Sequence, residues 1–306
     1  MPVLLTKKLR RALHFGMALA AAPAVATAPA PAVHQVTASD KGLAVNCYLI
    51  EGQKSVVAVD SALIISDAKA LRAQADALGK PLVAILITHG HPDHYNGVFY
   101  LNEGRDKPVP VYATAAVTRV IKDWDDRKAQ QWTPMFGAEW PAKRAFPDHE
   151  AKDGQKLTFD EMTFIAHDLG PGESYADSWW EMVAPARAAF IGDEVLNGSY
   201  AYANDGHSAE WIRNLDGLSK TLKGVQHVYP GHGPMGDASL LRWEKQYLSK
   251  YREEVNSLRG GNDKLTDEGK KSLVARMKAA YPGLTNEFMI ALSADTVAAE
   301  LAKGSR

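Results

Sequence analysis

Four potential metal ligands within six positions are the feature that most constrains the fold of this chain. They are His89, His91, Asp93 and His94, and they directly follow the apolar run Leu82–Ile87. A short apolar run bounded by turn-forming residues is typical of a buried strand, so the ligands should lie on a loop at the end of a rigid strand. Imidazole is the commonest metal-binding side chain, and carboxylates also bind zinc. A histidine-rich surface loop is the alternative, but this density of ligands after a buried strand favours a metal site.

The composition is ordinary for a soluble globular enzyme. The chain has 306 residues, of which 46% are hydrophobic and 23% charged, enough for one large or two small domains. A net charge of −1 argues against the strongly basic surface that nucleic-acid binding requires. The only cysteine, Cys47, lies in a strand pattern, which predicts a buried, inert thiol and excludes an intramolecular disulfide.

The first 26 residues have the pattern of an export signal. The basic segment Lys7–His14 precedes the short apolar segment Phe15–Ala22, and Ala-x-Ala patterns that suit signal cleavage end at positions 26 and 28. A membrane helix is the alternative, but the apolar run is far shorter than the ~20 residues of a span. We therefore expect a signal peptide over residues 1–26, a disordered mature terminus over residues 27–38, and a periplasmic or secreted protein without a membrane span.

The rest of the chain predicts mixed strands and helices up to about residue 238 and helices only beyond it. Predicted strands cover residues 43–50, 55–60, 82–87, 109–113, 157–159, 162–167, 179–183, 188–191 and 225–229, and predicted helices cover residues 66–78, 115–128 and 209–222. We expect one catalytic domain over residues 39–238, on which the helices of residues 239–306 pack as an extension. The aromatic stretch 131–140 predicts either a loop lining a pocket or ordinary core packing.

Three later segments place further polar residues at the ends of predicted strands. Asp193 ends one strand, His232 lies on a glycine-rich turn after another, and the loop at residues 169–178 carries Glu173, Tyr175 and Asp177. Because all three segments follow strands, their side chains can converge on one edge of a sheet sandwich. Asp60 also ends a predicted strand, where it could be a turn residue or could orient metal-bound groups.

The order and spacing of these residues resemble the metallo-β-lactamase superfamily. The similarity extends over roughly residues 40–235, and its motifs are His89-x-His91-x-Asp93-His94, Gly192-Asp193 and Gly231-His232-Gly233. The resemblance implies a mixed α/β fold, an αββα sandwich with a two-metal site at one edge. It says little about the substrate, because one fold hosts many activities.

The resemblance also implies a role for each ligand. By analogy, His89 and His91 bind the first ion, Asp193 bridges the two ions, and the second ion is bound by Asp93, His94 and His232. Zinc is the expected metal, with two sites of which the first holds its ion weakly, and iron and manganese are the alternatives.

One position departs from the family pattern. Members usually carry a third histidine for the first ion in the loop after Gly-Pro-Gly, and here Tyr175 stands in that position. A neutral phenol is a poor zinc ligand, since its pKa is near 10. Tyr175 could coordinate as a phenolate, Glu173 or Asp177 could substitute for it, or the first ion could be weakly held.

Three aromatic residues after Asp193 are further candidates for the site. His207 could be an auxiliary ligand or a substrate contact, although a surface histidine is the more common outcome. Tyr200 and Tyr202 are candidate oxyanion contacts by their loop position alone.

The resemblance implies a hydrolase that needs no protein nucleophile. The metal would lower the pKa of bound water and supply hydroxide, which attacks the carbonyl of an ester, lactone, thioester or β-lactam while Asp93 orients it. The chain contains neither the Gly-x-Ser-x-Gly pattern of serine hydrolases nor a phosphate-binding Walker loop. The alternative is a metal-binding protein of the same fold with impaired or no turnover, which the tyrosine at position 175 motivates.

Overall fold

The computed structural model describes residues 30–304, so the predicted signal peptide lies outside the described residues. Two β-sheets face each other at the centre of the fold. The first sheet contains β1 (Ala32–Thr37), β2 (Asn46–Glu51), β3 (Val56–Val59), β4 (Leu82–Leu86), β5 (Val111–Thr114) and β6 (His149–Ala151), in that order. The second contains β11 (Val228–His232), β10 (Ala188–Leu196), β9 (Asp177–Ala184), β8 (Met162–Gly170) and β7 (Lys156–Phe159).

Strand direction explains why polar loops gather at one edge of this sandwich. In the first sheet β3 to β6 run parallel, and in the second sheet β10 and β11 run parallel. The carboxyl ends of parallel strands meet at the same edge, so the loops after β3, β4, β10 and β11 can share one site.

Helices cover the outer faces of both sheets. The helices are α1 (Ile65–Ala77), α2 (Pro92–Tyr95), α3 (Val98–Asn102), α4 (Ala115–Phe136), α5 (Ser208–Thr221), α6 (Ser239–Leu258), α7 (Asp267–Ala280), α8 (Phe288–Leu292) and α9 (Ala294–Gly304). α1, α3 and α4 share a hydrophobic core with the first sheet, whereas α5 to α9 share one with the second. These layers confirm the predicted αββα sandwich with its C-terminal helices packed on the core. Within residues 30–304 no helix is both long and apolar enough to cross a bilayer.

The space between the sheets is filled by aromatic and branched side chains from both of them. Tyr48 of β2 packs edge-on against Phe190 of β10, and Trp180 of β9 is fully buried in the same cluster. Burial of each such side chain stabilises the fold by about 1.5–3 kcal/mol. Cys47 is buried on the opposite face of β2, which confirms the predicted buried thiol, and burial raises its pKa well above the ordinary value.

Three predicted elements differ from the structure. Residues 32–37 were expected to be disordered, but they form β1 and pair antiparallel with β2 along its whole length. The strand predicted from residue 43 begins at Asn46, because Leu43 and Ala44 adopt left-handed conformations with φ of 64° and 53° that a strand excludes. Helix α4 runs on to Phe136 and includes part of the aromatic stretch that was predicted as a loop or core segment.

Candidate metal centre

The loops at the carboxyl edge of the sheets bring seven potential ligands together. They divide into two groups, whose members lie close enough to share an ion: His89, His91 and Glu173 in the first set, and Asp93, His94, Asp193 and His232 in the second set. His91 caps the amino end of α2, whose first turn carries Asp93 and His94. Pro92 suits that first helical position, because proline lacks the N–H that a helix start leaves unpaired.

The first set combines two imidazoles with one carboxylate. Glu173 Oε2 lies 2.8 Å from His91 Nδ1 and 3.4 Å from His89 Nε2. All three side chains are buried, and Glu173 is only 1% exposed. Two histidines and one glutamate form a ligand set that also occurs in zinc enzymes.

The second set alternates imidazoles with carboxylates. His94 Nε2 lies 3.3 Å from Asp193 Oδ1 and 3.6 Å from Asp93 Oδ2. His232 Nε2 lies 3.4 Å from an oxygen of each of the same two aspartates. Asp193 therefore lies with the second set, and its predicted bridging role remains a prediction.

The arrangement of the donor atoms suits a bound cation better than it suits hydrogen bonds between the side chains. His89 Nε2, His94 Nε2, Asp193 Oδ1 and both Glu173 oxygens are buried and make no regular hydrogen bond within residues 30–304. Buried polar atoms without partners are rare, and each costs about 1–3 kcal/mol. Their convergence within one small volume is the arrangement expected of metal ligands.

The charges of the second set compensate each other. Although burial opposes the effect, Asp193 and Asp93 raise the pKa of His94 well above its usual value and that of His232 to about 9. Against the same burial effect, the imidazoles His94 and His232 hold the pKa of both aspartates below the usual range. The metal-free set is thus a network of charged pairs.

The first set lacks this compensation. Burial, together with the charge of His94, lowers the pKa of His89 well below its usual value, and burial with Lys128 lowers that of His91. Burial and the charge of Asp193 raise the pKa of Glu173 well above its usual value. Two neutral imidazoles therefore face a carboxyl group that favours its neutral form until a cation is present.

Asp60 orients a histidine of each set. The Nδ1–H group of His94 donates to Asp60 Oδ2 at 2.8 Å, which turns Nε2 towards the second set. The hydroxyl of Thr88 also donates to Asp60 and lies 3.0 Å from Nδ1 of His89. Hydrogen bonds of this kind fix the ring and tautomer of metal-binding histidines. Of the two sequence interpretations of Asp60, the structure favours the orienting role.

Asp205 and Lys128 support His91 and were not predicted. The Nε2–H group of His91 donates to Asp205 Oδ2 at 2.9 Å, so that Nδ1 faces Glu173. Lys128 on α4 donates to Asp205 Oδ1 at 3.1 Å. Asp205 lies 114 positions from His91 in the chain, and no sequence motif connects the two.

Two glycines let the backbone approach the ligands closely. Gly192 has a φ of 53°, and a Cβ atom there would lie 2.7 Å from Thr88 Oγ1. A Cβ atom on Gly231 would lie 1.7 Å from Asp193 Oδ1, which is closer than atoms can approach. Glycine at both positions is therefore a steric requirement of the second set.

The remaining candidates lie outside both sets. The Tyr175 ring stacks on Trp124 at 4.4 Å and lies outside both sets, whereas Glu173 of the same loop is the residue that joins His89 and His91. Asp177 accepts hydrogen bonds from Ser174, and burial raises its pKa to about 7. His207 contacts Tyr175 edge-on and joins neither set.

A cavity opens onto the two sets. Glu173 and Asp93 line it, and its apolar walls come from Leu43, Leu63, Trp132, Phe136, Leu196 and Met289. Trp132 and Phe136 belong to the aromatic stretch, and Trp132 and Trp140 are also buried in the core beside the second sheet. Each of the two interpretations therefore holds in part, although the residues that line the cavity lie on helix α4 and not on a loop. The hydroxyl of Tyr200 donates to Tyr281 O, and that of Tyr202 to Asp205, so neither hydroxyl proton is free for an oxyanion.

Comparisons with known proteins agree with this fold. The model of the metallo-β-lactamase superfamily matches residues 40–234, and the chain belongs to that superfamily. Its members are generally hydrolases and usually bind metals.

Three individual proteins are similar to this chain in sequence or in fold. A probable metallo-hydrolase of Streptococcus pyogenes is 27% identical over 195 residues, which are 62% of this chain and 79% of that protein. The Bacillus subtilis protein YobT is 44% identical over 120 residues, but the match spans 38% of this chain and only 47% of YobT. The crystal structure of a beta-lactamase domain protein from Burkholderia ambifaria has a TM-score of 0.66 at 18% identity and covers 92% of this chain and 91% of its own. That last similarity concerns the fold alone.

Proposed function

We propose that this protein is an exported, zinc-dependent hydrolase of small substrates whose scissile carbonyl belongs to an ester, lactone, thioester or β-lactam. The observation that carries the proposal is the convergence of two buried donor sets at the base of an apolar cavity. Such a site needs no serine or cysteine nucleophile, and the only cysteine is buried away from it. The moderate net charge supports a small-molecule substrate rather than a nucleic acid.

The residues of the chain have separate tasks in this chemistry. The first and second sets would each hold one divalent ion, and bound ions of this kind polarise a carbonyl and lower the pKa of water. Asp93 lines the cavity, and its pKa is held below the usual range, so the carboxylate is ionised near neutral pH. It can accept a proton from the attacking water and return it to the leaving group.

A hydrolase screen on the metal-loaded protein tests the proposal. The substrates are nitrocefin, acyl-homoserine lactones, aryl esters and aryl thioesters, each with zinc and with a chelator. We expect zinc-dependent turnover of at least one class, and Asp93→Asn should reduce its rate by about 10²–10⁴-fold. Asp126→Asn, which alters an exposed aspartate of α4, is the matched control and should retain full activity.

The rival function is a metal-binding protein without turnover. It would be supported if folded protein with two bound zinc ions hydrolysed none of the four classes. The original motive for this alternative, a missing third ligand, loses force because Glu173 faces the two histidines of the first set.

Export is tested separately from chemistry. The full chain, expressed in a bacterium with a periplasm, should accumulate outside the cytoplasm with a new amino terminus just after residue 26 or 28. Cell fractionation and amino-terminal sequencing measure both. Retention in the cytoplasm with the original terminus would contradict this part of the proposal.

A further inference from the structure

The cavity above the metal centre continues into an apolar groove on the surface. The groove shares Leu43, Phe136 and Asn286 with the cavity. Met135 and Phe288 form its outer part and are 57% and 40% exposed. Large apolar side chains with that exposure are uncommon here: among the described residues only Met235 joins them, and it lines neither the cavity nor the groove. Two of the three therefore lie where the path from the metal centre reaches solvent.

Apart from the metal ions proposed above, the described residues that line the cavity include no lysine or arginine without a carboxylate partner. Lys128 is the only lysine or arginine among the described residues that line it. Its ammonium group lies 3.1 Å from Asp205 Oδ1 and 3.4 Å from the hydroxyl of Tyr202, and the side chain is 5% exposed. A substrate carboxylate would have to displace Asp205, which also holds His91. The remaining charged lining residues include the three carboxylates Asp93, Glu173 and Asp193.

The charged residues that line the groove have a small excess of negative charge. They are the two carboxylates Asp40 and Glu139 and the exposed Lys41. Glu139 is held in place by the backbone N–H of Ser66 at 3.0 Å. Apolar surface with a slightly acidic border suits an uncharged chain better than a carboxylated one.

We propose that the substrate is an uncharged ester or lactone with an extended apolar chain, which passes over Phe136 and lies in the groove between Met135 and Phe288. The proposal rests on the hydrolase function proposed above and narrows its substrate class. The reactive carbonyl would lie at the base of the cavity, and the chain would bury apolar surface along its walls. A carboxylate at the far end of the chain would be disfavoured, because it would lie in the groove, where two carboxylates outnumber one lysine.

A chain-length series measures the proposed apolar contact. The probes are p-nitrophenyl acetate, butyrate, octanoate and decanoate, with the mono-p-nitrophenyl ester of a straight-chain dicarboxylic acid as the carboxylated counterpart of the octanoate. For the zinc-loaded protein kcat/KM should rise with chain length, by up to about four-fold for each methylene that is fully buried. The carboxylated ester should react at least about ten-fold more slowly than the octanoate, since its charge must be desolvated.

Substitutions at the groove locate the contact. In the double variant Met135→Ser/Phe288→Ser, the ratio of kcat/KM for octanoate over acetate should fall by about ten-fold, as expected when apolar contact with several methylenes is lost. Met235→Ser removes an apolar side chain of similar exposure elsewhere and should leave the ratio unchanged.

Binding of N-phenyl-1-naphthylamine to the metal-free protein gives a second readout that needs no turnover. This uncharged apolar fluorophore should bind with enhanced emission, at least several-fold more weakly in the double variant than in Met235→Ser. Turnover that is independent of chain length, or faster on the carboxylated ester, would overturn the proposal while leaving the hydrolase function intact. If no ester is hydrolysed, the fluorophore decides: equal binding to both variants overturns the apolar path, and weaker binding to the double variant supports it. The hydrolase function itself fails only if the lactones, thioesters and nitrocefin of the screen above are not hydrolysed either.

Discussion

The two ligand sets of this protein differ in how they are stabilised without metal. In the second set each imidazole nitrogen faces two aspartates, and the four groups hold one another in their charged forms. In the first set one carboxyl group faces two imidazoles that burial keeps neutral, and burial favours the neutral form of Glu173 as well. The second set is therefore organised by its own charges, whereas the first is organised by the hydrogen bonds behind it.

This difference predicts which substitutions should disturb metal binding by each set. Removing one member of the second set leaves buried charges without partners, which is costly. Removing a supporting residue of the first set releases a neutral ring from its orientation and so weakens metal binding. At Asp205 it also leaves the buried ammonium group of Lys128 without its carboxylate partner. The proton release that accompanies metal binding should also differ between the sets. Binding to the first set requires Glu173 to lose its proton, whereas binding to the second set requires His94 and His232 to lose theirs.

The largest effect should follow from breaking the second set. His232→Ala removes one of the two imidazoles that compensate Asp93 and Asp193, so the variant should lose the second zinc ion. Activity should fall by about 10²–10⁴-fold, because a metal ion contributes several kcal/mol to such reactions. Elemental analysis and turnover on the best substrate measure both quantities. His227→Ala, which alters a histidine outside both sets, serves as control, and a His232→Ala protein with two zinc ions would contradict the assignment.

An intermediate effect should follow from removing the support of the first set. Asp205→Asn weakens the hydrogen bond that orients His91, so affinity for the first ion should fall by about 10–100-fold, with the second ion unaffected. Asp60→Asn should weaken both ions, because Asp60 orients His94 directly and His89 through Thr88. Competition with a chromogenic zinc chelator resolves the two affinities. Equal weakening of both ions by Asp205→Asn would contradict the separation of the two sets.

The smallest effect concerns a buried acid outside the two sets. Glu244 is fully buried, its Oε2 accepts the N–H of Leu196 at 2.9 Å, and its Oε1 makes no hydrogen bond within the described residues. Burial raises its pKa well above the value of 4.5 in the unfolded chain. The folded state therefore binds the proton more tightly, and this contribution to stability is full below pH 4.5 and is lost as the pH rises through the folded pKa.

Glu244→Gln replaces the carboxyl group with an amide that does not ionise, so the variant does not lose stability as the pH rises. The amide oxygen can still accept the hydrogen bond from the N–H of Leu196. The variant should be more stable than wild type by about 1–3 kcal/mol at pH 8, with a smaller difference at pH 5. Urea unfolding of the metal-free proteins at both values measures the difference. Its zinc content should equal that of wild type, since Glu244 belongs to neither set. A variant that is less stable than wild type at pH 8 would show that the charged form is favoured after all.

Most of the second set could be predicted from the sequence because its residues stand in short motifs. Asp93 and His94 follow β4, and His232 is the last residue of β11. Asp193 was expected to end a strand but lies within β10, which continues to Leu196. All four residues still lie near the carboxyl ends of their strands, which brings them to one edge. The αββα layers could be predicted from the resemblance to the metallo-β-lactamase superfamily and from the alternation of apolar runs along the chain. The strand formed by residues 32–37 was missed because it gains its stability from pairing with β2, which no local pattern reveals.

The third ligand of the first set could not be chosen from the sequence. Glu173, Tyr175 and Asp177 lie within five positions of one loop, and spacing alone gives each of them access to the site. Tertiary contacts decide among them: Tyr175 stacks on Trp124 of α4, and Asp177 is engaged by Ser174. The support from Asp205 was also invisible, because it comes from a loop far along the chain.

The zinc content of three proteins tests most directly the claim that Glu173, and not Tyr175, completes the first set. Wild type, Glu173→Gln and Tyr175→Phe would be loaded with zinc, dialysed against a weak chelator and measured by elemental analysis, with circular dichroism to verify folding. The neutral amide of Glu173→Gln lacks the carboxylate charge, so we expect about one zinc ion per chain in that variant. Wild type and Tyr175→Phe should retain about two. Loss of an ion from Tyr175→Phe, with two retained in Glu173→Gln, would contradict the account.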